Sequence, residues 1–316
     1  MTSKLNQIMS NVEDKIRFHY VCYLVDKCIE ENGRKLNLSR SKIKTVPPAL
    51  AACTFLSKLS LDGNFISSAS ITGLHSLIFL RYLTLNDNEL SEFPEELCEL
   101  KFVEFLNIGA NPIDHLPDSI GKLKNLITLW CNDMLLEQLP EQIGVLRKLK
   151  TFGARNNRLK ALPESFGELR RLKWLSLENN GIDTLPGSFA KLANLTHLNM
   201  ARNRFNGIHT TISKLRRLKY CSFEENFIEN VTEAALAELD YIKTLLLAGN
   251  RIDCTVLTQE RVVPFKFDIF NEIVTEDWEF SLPNSELNLL DTSDEETFEE
   301  PYEMELPLQA RFCSPA

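Results

Sequence analysis

The sequence predicts an α/β solenoid: a curved parallel β-sheet on the concave face, short helical or irregular segments on the convex face, and a capping helix before it. Three observations carry this. An apolar pattern returns every 23 or 24 residues, ten times over, with units beginning at Gly33, Leu56, Leu80, Val103, Leu126, Leu149, Leu172, Leu195, Leu218 and Ile242. Each unit opens with the two-residue alternation of a strand buried on one side, as in Leu172-Lys173-Trp174-Leu175-Ser176-Leu177. An asparagine then recurs at one register. A period of this length belongs to stacked arrays, in which each unit buries its apolar face against the next.

The chain opens on a predicted helix. Over Val12–Asn32 the apolar residues Val12, Ile16, Val21, Leu24, Val25, Cys28 and Ile29 follow helical spacing. Ser10 and Glu13 resemble a capping box, and Gly33 supplies the stop. An array end exposes core, so the expected role is a cap. The expected division is a capping helix at 1–32, a solenoid with its C-terminal cap at 33–270, and a tail at 271–316.

Inside the array the consensus is L-x-x-L-x-L-x-x-N-x-L, the leucine-rich-repeat signature. The asparagines are Asn64, Asn88, Asn111, Asn157, Asn180, Asn203, Asn226 and Asn250. The turn after each strand leaves backbone groups pointing inward, and a side-chain amide both donates and accepts. Turn preference alone does not explain eight at one register, so they are expected to form a ladder. Ser41 and Met134 break the series, and Met134 is expected to leave a backbone group short of a partner.

The second half of each unit carries proline, in Val46-Pro47, Phe93-Pro94, Leu116-Pro117, Leu139-Pro140, Leu162-Pro163 and Leu185-Pro186. Its preset torsion and missing N–H suit the start of a short helical turn. The units starting at Leu56, Leu195 and Leu218 lack it, so less regular outer segments are expected there. After Ile252, the stretch Val262–Phe270 is expected to close the array.

Charge divides the chain sharply. The total is −9, but residues 267–316 hold fourteen acids against Arg311, a balance of −13, leaving +4 for residues 1–266. The tail is expected to be disordered. It threads Trp278, Phe280, Leu282 and Tyr302 among its acids, and Thr292 and Ser293 precede acids as candidate phosphorylation sites. A balance of +4 gives little reason to expect nucleic-acid binding.

Chemistry is quiet. Five histidines are dispersed and eight cysteines show no C-x-x-C pair, so no metal and no cofactor are expected. No phosphate loop or nucleophile elbow occurs, and no enzyme is expected. The start lacks an apolar leader and no run has the length of a bilayer span. Reduced cysteines in cytoplasm or nucleus are the simplest account. Cys313, four from the end, matches a prenylation box in position only, because Pro315 replaces an aliphatic residue.

The remaining signal lies on the open side of the strands. Tyr82, Phe105, Trp174, His197 and Tyr220 occupy the third position, Trp130 the fifth, Arg155, Glu178 and Glu224 the seventh, and Arg202 is assigned to the same face. The core does not require rings there, and aromatic residues and arginine dominate protein interfaces. These ten residues form the candidate partner-binding face.

The units Leu116-Pro117-Asp118-Ser119-Ile120-Gly121-Lys122-Leu123 and Leu162-Pro163-Glu164-Ser165-Phe166-Gly167-Glu168-Leu169 resemble the L-P-x-x-I-G-x-L repeats of intracellular leucine-rich-repeat scaffolds. That group includes the Ras suppressor, the Ras–Raf–phosphatase scaffold and Scribble-type proteins. The resemblance spans about residues 33–253 and implies a non-enzymatic adaptor in small-GTPase or phosphatase signalling; a monomer is expected. Two alternatives stay open: a ubiquitin-ligase substrate receptor, and a nuclear acidic-tail protein that binds basic partners.

Overall fold

The computed structural model describes residues 2–229 and 231–252. The stretch Val262–Phe270, the acidic tail with Thr292 and Ser293, and Cys313 lie outside the described residues.

Ten strands form one open parallel sheet in chain order: β1 Lys35–Asn37, β2 Lys58–Ser60, β3 Tyr82–Thr84, β4 Phe105–Asn107, β5 Thr128–Trp130, β6 Thr151–Gly153, β7 Trp174–Ser176, β8 His197–Asn199, β9 Tyr220–Ser222 and β10 Thr244–Leu246. Pairing never slips: Lys35 faces Lys58, Lys58 faces Tyr82, and the same register continues to Thr244. A one-residue slip would turn the buried central leucines outward, so burial fixes the register.

The outer halves are short 3₁₀ turns. In the proline-bearing units the Pro carbonyl accepts from the amide three residues on, as in Ile120 N–H to Pro117 O at 3.0 Å and Phe166 N–H to Pro163 O at 3.0 Å. Proline therefore stands just before the first helical residue. Adjacent turns pack closely because of glycine. A Cβ at Gly144 or Gly167 would run into the backbone carbonyl of Ser165 or Ser188 on the next unit. The outer turns remain bulkier than strands about 4.8 Å apart, so the sheet takes the concave side.

Where proline is missing, the outer segment changes. The Leu56 unit has two three-residue turns, Ser68–Ser70 and Leu74–Ser76, and the Leu195 unit has one, Ile212–Lys214. The Leu218 unit forms a true helical turn, α2 Glu233–Ala237, with the Thr232 hydroxyl accepting from the Ala235 amide at 3.2 Å.

Between sheet and outer turns lies one continuous apolar core. Its broad middle is phenylalanine: Phe152 meets Phe166 edge-on at 5.7 Å, and Phe166 stacks near Phe189 at 6.4 Å. Full burial of each such ring contributes about 1.5–3 kcal/mol.

The asparagines bind successive units together. The Asn203 side-chain amide donates to Leu177 O at 2.8 Å in the previous unit and to Met200 O at 3.1 Å in its own. Its oxygen accepts from Ile182 N–H at 3.1 Å. The other seven repeat this geometry, as with Asn64 on Leu38 O, Leu61 O and Ile43 N–H. Each inner carbonyl thus receives two amides, Leu177 O from Asn180 and Asn203. Met134 interrupts the series. The Ile113 amide, whose register would direct it to that side chain, has no acceptor among the described residues although Ile113 is fully buried. Ile108 O and Cys131 O keep one amide each, from Asn111 and Asn157.

The helix at the array entrance departs from expectation. α1 runs Thr2–Glu30, straight through Ser10, so the Ser10–Glu13 pair does not cap it. Val21, Val25 and Cys28 enter the core, with Leu24 and Ile29 packed beside them, but Val12 and Ile16 are exposed. The C-terminal half of the helix carries the packing. At its end Asn32, not Gly33, takes the left-handed conformation (φ +50°), and Gly33 N–H donates to Cys28 O at 2.8 Å. A Cβ on Gly33 would lie 2.8 Å from Cys28 Sγ, so a larger residue there would have to displace that thiol.

Candidate functional site: the concave strand face

Each strand buries its middle residue and turns the two flanking ones toward the open face. The rings at these positions gather into three pairs. Tyr82 stacks on Phe105 with centroids 4.1 Å apart and planes within 10°, and Lys58 Nζ lies 4.6 Å from the Tyr82 centroid. Trp130 meets Trp174 edge-on at 5.0 Å. His197 stacks near Tyr220 at 6.3 Å. Offset and edge-on pairs of this kind contribute about 0.5–1.5 kcal/mol beyond area burial.

The tryptophan pair depends on a residue the pattern did not single out. Trp130 is on β5 and Trp174 on β7, with β6 between them. Gly153 on β6 pairs with Trp130 in the ladder. A Cβ on Gly153 would penetrate the Trp130 ring. The missing side chain lets the indole lie across β6 and reach Trp174. A glycine in a strand marks a close approach of this kind.

Below the rings, the strands leave the face through a repeated left-handed turn. Arg40, Gly63, Asp87, Ala110, Asp133, Asn156, Asn179, Arg202, Glu225 and Gly249 occupy the same register, and all have φ between +51° and +72°. Two are glycine and four are aspartate or asparagine, the types that tolerate this conformation, whereas Arg40, Ala110, Arg202 and Glu225 carry no such signal. Arg202 therefore sits in this turn and not on a strand.

The turns form a charged rim. Arg202 grips Glu225 of the next unit through Nε and Nη2 at 3.1 and 3.0 Å, and reaches Glu178 at 3.7 Å. Glu178 also accepts from Asn199 at 3.1 Å, and Glu224 from the Ser222 hydroxyl at 3.0 Å. Arg155 lies 3.9 Å from Asp133. At the other end the Thr84 hydroxyl donates to Asp62 at 2.8 Å. Exposed pairs of this type contribute little stability, roughly 0–1 kcal/mol each, but hold the rim in one arrangement.

Titration keeps the ring face uncharged near neutrality. Burial, assisted by Glu224, pushes the Tyr220 phenol up to about 12, and burial with Asp62 raises Tyr82. Desolvation and then Lys219 lower the His197 imidazole below 6.5. The Arg202 guanidinium is raised, first by its hydrogen bond to Glu225. Cys131 and Cys221 point inward, and burial raises both thiols. Among the described residues no group of His, Cys, Asp and Glu could hold a metal, and no helix is long and apolar enough to cross a membrane.

Comparison with known proteins agrees with this geometry. A solved leucine-rich-repeat protein of Leptospira interrogans superposes with a TM-score of 0.50 at 25% identity, covering 72% of this chain and 76% of that one. An internalin of Listeria monocytogenes superposes with a TM-score of 0.54 at 22% identity, covering 71% and 76%. No curated protein matches the sequence. The family model described as "Leucine-rich repeat region" matches residues 33–151 and 132–264. With ten units in register and a family match over most of its length, the chain belongs to the leucine-rich repeat region family.

Proposed function

We propose that this chain is a non-enzymatic adaptor that binds a protein partner on its concave strand face. The observation that carries the reading is the three ring pairs, Tyr82–Phe105, Trp130–Trp174 and His197–Tyr220, at positions the core does not need. A row of preorganised rings bordered by a fixed charged rim has the anatomy of an interface hot spot. Little ordering entropy remains to be lost when a partner docks. Members of this fold class generally serve as interaction modules, which agrees with the reading.

Small-GTPase or phosphatase signalling is the proposed setting, on the strength of the L-P-x-x-I-G-x-L units. Five buried free cysteines, Cys28, Cys53, Cys98, Cys131 and Cys221, support a reducing compartment, cytoplasm or nucleus. Residues 271–316 are proposed as an acidic tail separate from the array.

The test is affinity capture from cells with the intact chain and with a Trp130→Ala, Trp174→Ala, Tyr220→Ala triple variant. The expected result is a defined partner set lost in the variant while its far-ultraviolet circular dichroism is retained. Equal capture by both proteins would overturn the reading. Cullin components in the lost set would favour the ubiquitin-ligase alternative.

A further inference from the structure

Eight units join their outer segment to the next strand through a two-residue turn, and these turns are strongly unequal in chemistry; among the described residues the connection before β10, Asp240-Tyr241, lacks their closing bond and carries an acid. From Thr54-Phe55 to Arg216-Arg217 the turns stand at one register, each closed by the same bond, as in Lys101 N–H to Glu99 O at 2.9 Å and Arg170 N–H to Glu168 O at 2.8 Å. Neighbouring turns touch: Lys148 Nζ donates to Asn125 at 2.7 Å, and Arg217 to Asn194 at 2.6 Å. The row is therefore continuous along one flank of the array.

Its first three turns, Thr54-Phe55, Ile78-Phe79 and Lys101-Phe102, each present a phenylalanine to solvent. Phe55, Ile78, Phe79 and Phe102 are 52–55% exposed. Three of the five later turns carry two cations each, Arg147-Lys148, Arg170-Arg171 and Arg216-Arg217, all exposed. None of the eight turns from Thr54 to Arg217 contains an acid. Among the described residues Arg170 is the only cation of these turns within salt-bridge distance of a carboxylate, Glu168 at 3.4 Å.

The flank is also in step. Strand pairing keeps one register from β1 to β10, so the turns that precede the strands follow one another in a single row. A row that passes from exposed rings to exposed cations offers both kinds of contact to one extended anionic surface.

We propose that this flank is a docking surface for an anionic phospholipid bilayer, with Phe55, Phe79 and Phe102 entering the interface and the arginine turns facing the headgroups. Rings at the headgroup boundary and cations above acidic lipid are the two contributions that together hold a peripheral protein. The net charge of −9 does not prevent this, because at physiological salt fields decay over about 8 Å and the flank presents its own local charge.

The test is sedimentation of the full chain with vesicles of phosphatidylcholine alone and of phosphatidylcholine with phosphatidylserine. Binding is expected only to the second, weakening as salt rises. Replacing Arg147, Lys148, Arg170 and Arg171 by Gln should weaken it about 100-fold or more, and Phe55→Ser with Phe79→Ser and Phe102→Ser at least about tenfold. Thermal melting of each variant controls for folding, since all seven side chains are exposed. Equal sedimentation with both vesicles, or unchanged binding by folded variants, would overturn the proposal. So would a chain that ignores the acidic vesicles yet is retained through the same arginines on a polyglutamate resin, which would make the flank a dock for acidic protein.

Discussion

Removing one rung of the asparagine ladder tests how successive units are held together. In Asn203→Ala, four interactions vanish: the donations to Leu177 O, Met200 O and Ala201 O, and the acceptance from Ile182 N–H. The three carbonyls are not orphaned, because Asn180 still reaches Leu177 O at 3.0 Å, Asn226 reaches Met200 O at 3.0 Å and the Asn179 amide reaches Ala201 O at 2.9 Å. Ile182 N–H is left alone in a buried site. One orphaned buried donor costs about 1–3 kcal/mol, and each lost second bond about 0.5–1 kcal/mol. The contacts to Met200 O and Ala201 O share one N–H of the amide, so the expected destabilisation is about 2–5 kcal/mol. The reciprocal change, Met134→Asn, gives Ile113 N–H an acceptor but loses apolar burial of about 1.5–3 kcal/mol, so a net change within about 1 kcal/mol is expected. Urea denaturation measures both, and hydrogen exchange reports the two amides directly. Ile182 should lose protection in the first variant and Ile113 should gain it in the second. A loss below about 0.5 kcal/mol for Asn203→Ala, with Ile182 still protected, would refute the account of the ladder.

Three further outcomes follow from particular contacts. Gly153→Ala should displace the Trp130 indole, cost about 1–3 kcal/mol, and alter the near-ultraviolet dichroism of the Trp130–Trp174 pair; an unchanged spectrum would count against that packing. Ala110→Gly should stabilise by about 0.5–1 kcal/mol, since Ala110 holds a φ of +51° that glycine adopts freely, the gain being reduced by the entropy of the unfolded chain; denaturant midpoints decide it. His197 has a folded pKa below 6.5, so the unfolded chain takes up its proton first. Its contribution to stability is whole above pH 6.5 and is lost as the pH falls from there through the lower folded value, which an NMR titration with a His197→Gln control measures.

The architecture was legible because it is one-dimensional. A unit of 23 or 24 residues has few ways to bury Leu175 and Leu177 together with an amide such as Asn180, and repetition amplifies the signal. The alternation also told which side of each strand holds Trp130, Trp174 and Tyr220. It could not tell which rings touch. Trp130 and Trp174 are 44 positions apart, and they meet because Gly153 clears the strand between them. The capping pattern at Ser10 does not start α1, because continued helix before it outweighs a local cap.

Sequence alone therefore determined the repeat, the strand register, the inward and outward faces and the buried amides, all properties of neighbours along the chain or of one period. Tertiary structure decided the ring pairs, the left-handed turn shared by Ala110 and Arg202, the clasp of Arg202 on Glu225, and the flank that sets Phe79 in one row with Arg171. Those features arise between units, where contacts depend on how far one turn stands from the next and on which side chain leaves room for another.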